Sequence, residues 1–166
     1  MIEGSKFLTN KTIEDFLITA EKSLCVWFDL PECRIFLWDF KANKMYRFDH
    51  KSKEKLEFNL IGIIGKTITM NWEFNTENGY NDPSFNDQVD ITTTMPLHIR
   101  PFRHFENQKV CLGGIEIINW KGILGRQVAG FVTIDMTSNE ILEAFAHQLV
   151  AGIVKNFFRE EDVKLI

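Results

Sequence analysis

The chain has 166 residues, of which 45% are hydrophobic and 25% are charged. These values are ordinary for a soluble globular protein, and we expect a single domain over residues 1–166. The formal net charge of −4 argues against nucleic acid as the main partner, because phosphate binding needs a concentrated basic face. No apolar run reaches the roughly 18–20 residues that span a bilayer, and the N-terminal stretch MIEGSKFLTN carries no cleavage signal. We therefore expect a cytoplasmic protein with no membrane partner.

The predicted elements begin with a helix over 11–30. Its apolar residues recur at helical spacing, and Glu21 is among the polar residues on the opposite face. Residues 33–41 and 43–50 then predict two strands joined by a tight turn, which indicates a hairpin. A third strand follows at 55–60, before a short helix that is entered through Gly62.

The segment from Asn71 to Ile99 contains no Lys or Arg, and its many turn residues predict irregular structure. Its centre reads NDPSFNDQVDITTT. A calcium loop does not fit, because Asp87 and Thr93 stand where an EF-hand needs Gly and Glu. Asp82 and Asp90 are instead placed to cap two short helical turns. The capping roles do not explain why the segment contains no Lys or Arg.

The rest of the chain predicts strands at 98–105, 109–120 and 125–135 and a long C-terminal helix at 137–159. The tail 160–166 is charged, and we expect it to fray. The order of elements predicts an α+β fold with a central antiparallel sheet of about six strands. The N- and C-terminal helices would pack on one face of the sheet, with short helices and a polar lid on the other.

No residues stand out as a catalytic or metal site. Neither a GxSxG nor an HExxH motif is present, and no histidine pairs with a cysteine at zinc spacing. Cys25, Cys33 and Cys111 form no CxxC pair, so we expect small buried thiols in a reducing compartment. We therefore expect a protein that is not an enzyme and binds no metal.

Five stretches, in this order and spacing, resemble a GAF domain, the small-ligand sensor module of cyclic-nucleotide phosphodiesterases, cyclases and many bacterial regulators. They are CRIFLWD, RFDH, GIIG, DPSFNDQVDITT and ENQKVCLGGIEIIN. The resemblance covers nearly the whole chain and is closest to the regulatory GAF domains of phosphodiesterases. It implies a non-catalytic domain that binds cAMP or cGMP between sheet and lid, and it implies no covalent cofactor.

The resemblance also implies a set of ligand contacts. Phe48 would stack on a purine, and Asp49 would accept a hydrogen from its edge. Asp90 and Thr93 of the lid would bond base or ribose–phosphate atoms, and Glu116 of an inner strand would accept from the ribose hydroxyl or the base. Ordinary roles as core, turn and capping residues stay open for Phe48, Asp49 and Asp90. Glu116 needs a partner in any case, since an unpaired buried carboxylate is costly.

Other positions depart from the phosphodiesterase pattern or match it only in part. Arg34 would supply a cation for a phosphate or fill space, and Ile64 would reduce the pocket volume. Asn119, Phe131 and Asp135 match a family signature that supports the pocket from behind. The Lys and Glu of that signature have no match here.

Two further hypotheses stand beside the sensor. One is a ligand-free GAF scaffold that pairs with a partner protein or a second copy through its terminal helices. The other is a free methionine sulfoxide reductase, which also resembles a stand-alone GAF domain. That enzyme is disfavoured, since its cysteines lie at the inner helix and lid and none of Cys25, Cys33 and Cys111 does.

Overall fold

A computed structural model of the chain describes residues 12–104, 106–118, 127–128, 131–132 and 144–153. The helices are α1 (Ile13–Phe28), α2 (Gly62–Met70) and α3, described over 144–153, and a 3-10 turn covers Gly79–Asn81. The strands are β1 (Cys33–Asp39), β2 (Lys44–Phe48), β3 (Lys55–Phe58), β4 (Phe74–Thr76), β5 (Leu97–Arg103), β6 (Cys111–Ile118), β7 (Gln127–Val128) and β8 (Phe131–Val132).

The main sheet has six strands in the order β3-β2-β1-β6-β5-β4, and each neighbouring pair is antiparallel. The predicted α+β fold and its antiparallel sheet are therefore confirmed. Every residue of β6 is buried, so this strand forms the centre of the domain. Strands β7 and β8 form a separate short hairpin within the range that was predicted as one strand.

Two hydrophobic layers cover the two faces of the sheet. Helices α1 and α3 lie together on one face, where Trp27 and Phe145 meet edge to face at 5.8 Å between ring centroids. Helix α2 covers the other face, with Ile63, Ile64 and Ile68 buried against it. Alternation along the strands explains the division, since successive side chains point to opposite faces. The placement of the terminal helices on one face is confirmed for their described parts.

Helix α1 begins at an N-cap threonine, Thr12, whose hydroxyl accepts a hydrogen bond from the Asp15 amide at 3.3 Å. The helix differs from the prediction at Glu21, which is only 2% exposed although the apolar spacing places it on the solvent face. Strands β1 and β2 pair only at their hairpin end, which leaves the Ile35 amide without a strand partner. Glu21 Oε1 accepts that amide at 2.8 Å, so its carboxylate takes the place of the missing ladder bond.

The largest difference from the predicted elements is β4, which lies in the segment that we predicted as irregular. Its three residues pair with β5 at the edge of the sheet. A strand this short carries too little alternation to be recognised in the sequence. Among the residues that the structure describes, no helix is both long and apolar enough to cross a membrane. The predicted tail, 160–166, lies outside them.

Candidate functional site

The polar segment after the 3-10 turn folds over the same face of the sheet as α2, and we call residues 82–95 the lid. Its middle is fully buried, with Val89 at 1%, Asp90 at 0% and Ile91 at 2% exposure. The lid contains no helix, but it does contain two single turns. Asp82 caps the first by accepting the Ser84 amide, as predicted, whereas the second is capped by Asn86, which accepts the Gln88 amide, and not by Asp90.

Asp90 caps helix α2 from a distance in the chain. The N-cap position, Ile61, has no side chain that can accept a hydrogen bond. The Asp90 carboxylate fills this role by accepting the Ile63 and Ile64 amides at 2.8 and 3.2 Å, and it also accepts the Asn86 amide at 2.9 Å. A negative charge at a helix N-terminus is favoured by the unpaired amides and by the helix dipole. The capping role that the sequence left open for Asp90 is therefore real, but the helix is α2.

The approach of the lid to α2 depends on Gly62. Its φ of +75° lies in the left-handed region, where a side chain is strained. A Cβ at this position would lie 2.5 Å from Val89 Cγ2 and 2.6 Å from Asp90 Oδ2. Glycine is therefore needed both for the entry to the helix and for the contact with the lid.

Glu116 lies on β6 beneath the lid and is fully buried. Its Oε1 accepts the Ile91 amide at 2.6 Å, while Oε2 has no hydrogen-bond donor in reach. Burial, and next the negative charge of Asp90, hold the pKa of Glu116 well above its usual range. Both causes favour the neutral acid over the charged form. Its proton removes the unpaired charge beside Asp90.

Arg34 completes the polar group under the lid. It is the cross-strand neighbour of Glu116 on β1, so the two side chains share the face that the lid covers. Its Nη1 donates to the Val89 carbonyl oxygen at 2.8 Å, and its Nε donates to Glu32 at 3.0 Å. Arg34, Asp90 and Glu116 thus each bind backbone of the lid or of α2, and we call them the lid-binding triad.

The missing positive charge of the polar segment is supplied by residues on either side of it. Lys66 of α2 donates to both carboxylate oxygens of Asp82, at 3.1 and 3.0 Å. From β5, Arg100 donates to the Glu73 carboxylate at 3.2 Å, and the Arg103 guanidinium donates to both the side-chain and the backbone oxygen of Asn71. Arg34 adds a fourth contact from β1. The acidic segment is therefore held to the sheet and α2 by cations that belong to the elements beneath it.

Two of the residues predicted to contact a ligand lie elsewhere. Phe48 packs in the layer under α1, on the face of the sheet opposite to the lid, so the predicted stacking role does not fit a ligand bound under the lid. Asp49 accepts the Lys51 and Ser52 amides at 2.9 Å, which makes it the turn residue of the β2–β3 connection. These bonds, that from Ser52 first, hold the pKa of Asp49 below its usual range.

The other predicted site residues lie in the lid, in α2 or among the residues that the structure does not describe. Thr93 lies in the lid but outside the triad, and its hydroxyl accepts the Met95 amide at 3.0 Å. Ile64 is fully buried beneath the lid, where its side chain packs on Gly114 of β6. Asn119 and Asp135 lie outside the described residues, and Phe131 is described only as the start of β8.

An aromatic groove that we did not predict borders the outer side of the lid. It encloses about 430 Å³, and its lining includes Tyr80, Phe85 and Thr92. The Tyr80 and Phe85 rings are 4.7 Å apart between centroids, and Tyr80 is 51% exposed. In the sequence, these are two aromatic residues within a mostly polar segment. Because the segment has no helical or strand periodicity, the sequence does not indicate which of its side chains face solvent.

Comparisons with known proteins give matches in structure alone. No protein-family model and no curated protein sequence matches the chain. The GAF domain of an Acinetobacter phosphoenolpyruvate-protein phosphotransferase aligns over 98% of this chain and 92% of its own, with a TM-score of 0.66 and 14% identity. Residues 122 to 287 of a methyl-accepting chemotaxis protein align over 92% and 94%, with a TM-score of 0.65 and 14% identity.

A third similar structure is an enzyme, the free methionine-R-sulfoxide reductase of Neisseria meningitidis. It covers 90% of this chain and 82% of its own, with a TM-score of 0.61 and 11% identity. At such identities a structural likeness establishes only the fold, because proteins with unrelated functions can share one fold. The special likeness to phosphodiesterase domains stays a prediction. The chain has the fold of GAF domains.

Proposed function

We propose that this protein is a non-catalytic regulatory domain that senses a small ligand through the lid-binding triad and signals to a partner protein. The observation that carries the proposal is the triad itself. Burying the carboxyl groups of Asp90 and Glu116 next to the partly buried Arg34 is costly, and apolar residues of similar volume would hold a lid at least as well. Ionisable groups with a strongly shifted pKa, such as Glu116, are concentrated at functional sites.

A cyclic nucleotide, cAMP or cGMP, is the ligand class that we propose. The triad offers the hydrogen-bonding groups that such a ligand needs: Glu116 accepts N–H groups, Asp90 accepts N–H or ribose O–H groups, and Arg34 donates to phosphate. In the closed form these groups bond the lid at Val89 and Ile91. The ligand would replace those backbone contacts, so that binding and lid movement are coupled.

Displacing the lid has a cost that limits affinity. The lid residues Val89 and Ile91 are buried against the rest of the domain, and exposing two such side chains costs about 1.5–3 kcal/mol each. The apparent affinity falls by the fraction of molecules in which the lid is open. We therefore expect Val89→Ala to tighten ligand binding, because the smaller side chain holds the closed lid less strongly. Asp87→Ala, at an exposed lid position, is the matched control and should leave binding unchanged.

The direct experiment is a titration with cAMP and with cGMP by calorimetry, followed by thermal unfolding at saturating nucleotide. Ligand at about one hundred times its Kd should stabilise the protein by about 2.7 kcal/mol. Glu116→Ala and Asp90→Ala should abolish the shift, whereas Asp87→Ala should keep it. Absence of heat and of a thermal shift with either nucleotide, well above micromolar concentration, contradicts the sensor.

The packed lid itself supports a second candidate, a scaffold whose lid stays closed. Ile64, Val89 and Ile91 fill the space in which a ligand would lie. Signalling would then depend on a partner protein or a second copy at the terminal helices, and Val26 of α1 is 79% exposed on that side. In this case Val89→Ala lowers stability and creates no nucleotide binding. Self-association measured by analytical ultracentrifugation then tests the helix pairing.

A methionine sulfoxide reductase would need a reactive thiol near the lid-binding triad, and none of the three cysteines provides one. Cys111 is the thiol of the lid-facing layer, and it is buried and donates to the Gly113 carbonyl oxygen at 3.1 Å. Burial raises the pKa of Cys111 to about 11, which disfavours the reactive thiolate. Cys25 and Cys33 lie at the α1–β1 corner, away from the lid. We therefore propose that the protein is not an enzyme.

A further inference from the structure

Two cysteines that are eight positions apart in the chain meet at the corner between α1 and β1. The Cys25 and Cys33 sulfur atoms are 3.5 Å apart, and the Cys33 thiol donates to the Glu21 carbonyl oxygen at 3.3 Å. Both line a cleft of about 590 Å³ that also includes Arg47 and His50. The contact lies in the layer under α1, and the lid site has no part in it.

The backbone of the corner holds the two sulfur atoms together. Helix α1 is capped at its C-terminal end by Asp29, whose φ of 51° is left-handed, and the Asp29 and Leu30 amides both donate to the Cys25 carbonyl oxygen. Pro31 then restricts the chain just before β1 begins at Cys33. The hydrogen-bonded helix end and the paired strand thus place the two thiols against each other before any reaction.

The two thiols are chemically different. Cys25 is partly exposed, and the hydrogen bond with Cys33 lowers its pKa, although burial and the charge of Glu21 act in the opposite direction. Cys33 is buried, and the same hydrogen bond, together with burial, raises its pKa well above the usual range. A small oxidant that enters the cleft therefore meets the more acidic and more accessible thiol first.

We propose that Cys25 and Cys33 are a redox-active thiol pair that a small peroxide converts into an intramolecular disulfide. The Cys25 thiolate attacks one oxygen of hydrogen peroxide; the S–O bond forms, the O–O bond breaks, and the leaving hydroxide takes a proton to become water. Cys33 then attacks the Cys25 sulfenic sulfur; the S–S bond forms, the S–O bond breaks, and a second water leaves with the Cys33 proton. Two thiols are oxidised and one peroxide is reduced.

The reaction needs little movement. The sulfur atoms must approach from 3.5 Å to about 2.05 Å, which side-chain rotation at a helix end can supply. The product links α1 covalently to β1 beside Glu21, the carboxylate that bonds the Ile35 amide. Such a bond restricts the unfolded chain, so the oxidised form should melt about 5 °C higher than the reduced form.

The experiment treats the reduced, purified protein with hydrogen peroxide, blocks the remaining thiols with N-ethylmaleimide, and maps the peptides by mass spectrometry. One tryptic peptide, residues 23–34, contains both cysteines, and cleavage before Asp29 separates them. We expect this peptide to lose two hydrogen atoms and to stay linked after the second cleavage, until dithiothreitol releases it. Cys111 should react at least about tenfold more slowly than Cys25, and it is the internal control.

Two variants test the order of the steps. Cys33→Ser should stop the oxidation at sulfenic acid on Cys25, which a dimedone probe captures, whereas Cys111→Ser should leave the disulfide unchanged. Circular dichroism before treatment shows whether each variant is folded. The peptide map of the protein without substitutions tests the disulfide even if a variant does not fold. Disulfides that link two molecules, or Cys111 reacting as fast as Cys25, overturn the proposal.

Discussion

Replacing Asp90 with alanine removes the carboxylate that joins the lid to α2. Three backbone amides, those of Ile63, Ile64 and Asn86, lose their acceptor, and the first two are buried. Each hydrogen bond to a charged acceptor contributes about 1.5–3 kcal/mol, and part of this is offset because a buried carboxylate no longer has to be desolvated. We expect a net loss of about 3–4 kcal/mol in the free energy of unfolding and a fall in Tm of about 10 °C.

Urea unfolding followed by circular dichroism measures this loss. Asp90→Asn keeps one oxygen that can accept from α2, so its loss should be intermediate. Asp87→Ala removes a carboxylate from an exposed position of the same lid and should change stability by less than about 0.5 kcal/mol. If Asp90→Ala is as stable as Asp87→Ala, then Asp90 does not cap α2 and the described lid geometry is wrong.

Three further substitutions test other buried or strained positions: Glu116, Gly62 and His98, a fully buried residue of β5 whose ring bonds Asn75. Because the pKa of Glu116 is raised, the folded state keeps a proton that the unfolded chain releases above about pH 4.5. The free energy of unfolding should therefore fall by up to about 1.4 kcal/mol per pH unit as the pH rises toward the pKa of the folded state. Glu116→Gln should remove this slope in urea midpoints between pH 5 and 8; an unchanged slope contradicts the assignment. Burial lowers the pKa of His98 to about 3, so stability should fall as pH drops from 6.5 toward 3, and His98→Gln should reduce that loss; equal acid midpoints would show that His98 is not responsible. Gly62→Ala should cost about 2–4 kcal/mol through its left-handed backbone and its contact with the lid, and a loss below about 1 kcal/mol would mean that the lid moves aside.

The fold was predictable from the sequence because its long elements carry clear periods. Helix α1 and strands β1, β2, β3, β5 and β6 lie within two residues of their predicted ends. Strand β4 was missed, since its three residues are ordered by pairing with β5 and not by their own pattern. Glu21 was misplaced for a related reason, because its burial follows from the gap between β1 and β2, which is a tertiary feature.

The site was predictable only in part. The resemblance to GAF domains singled out Arg34, Asp90 and Glu116, and the structure brings them together under the lid. Their bonds to lid backbone could not be predicted, since these depend on where the chain returns after the 3-10 turn. Phe48 was assigned to the ligand side, but the pleat of β2 directs it to the layer under α1. A change of one position in strand register decides which face such a residue occupies.

Amide hydrogen exchange of the lid, measured by NMR without and with cAMP or cGMP, tests the central claim most directly. In the free protein the Ile91 amide should be protected by Glu116, and the Ile63 amide by Asp90. With saturating nucleotide, the sensor predicts that the Ile91 amide loses protection while core amides of β6 keep theirs. Protection at Ile91 that both nucleotides leave unchanged would contradict a ligand-driven lid and would favour the closed scaffold.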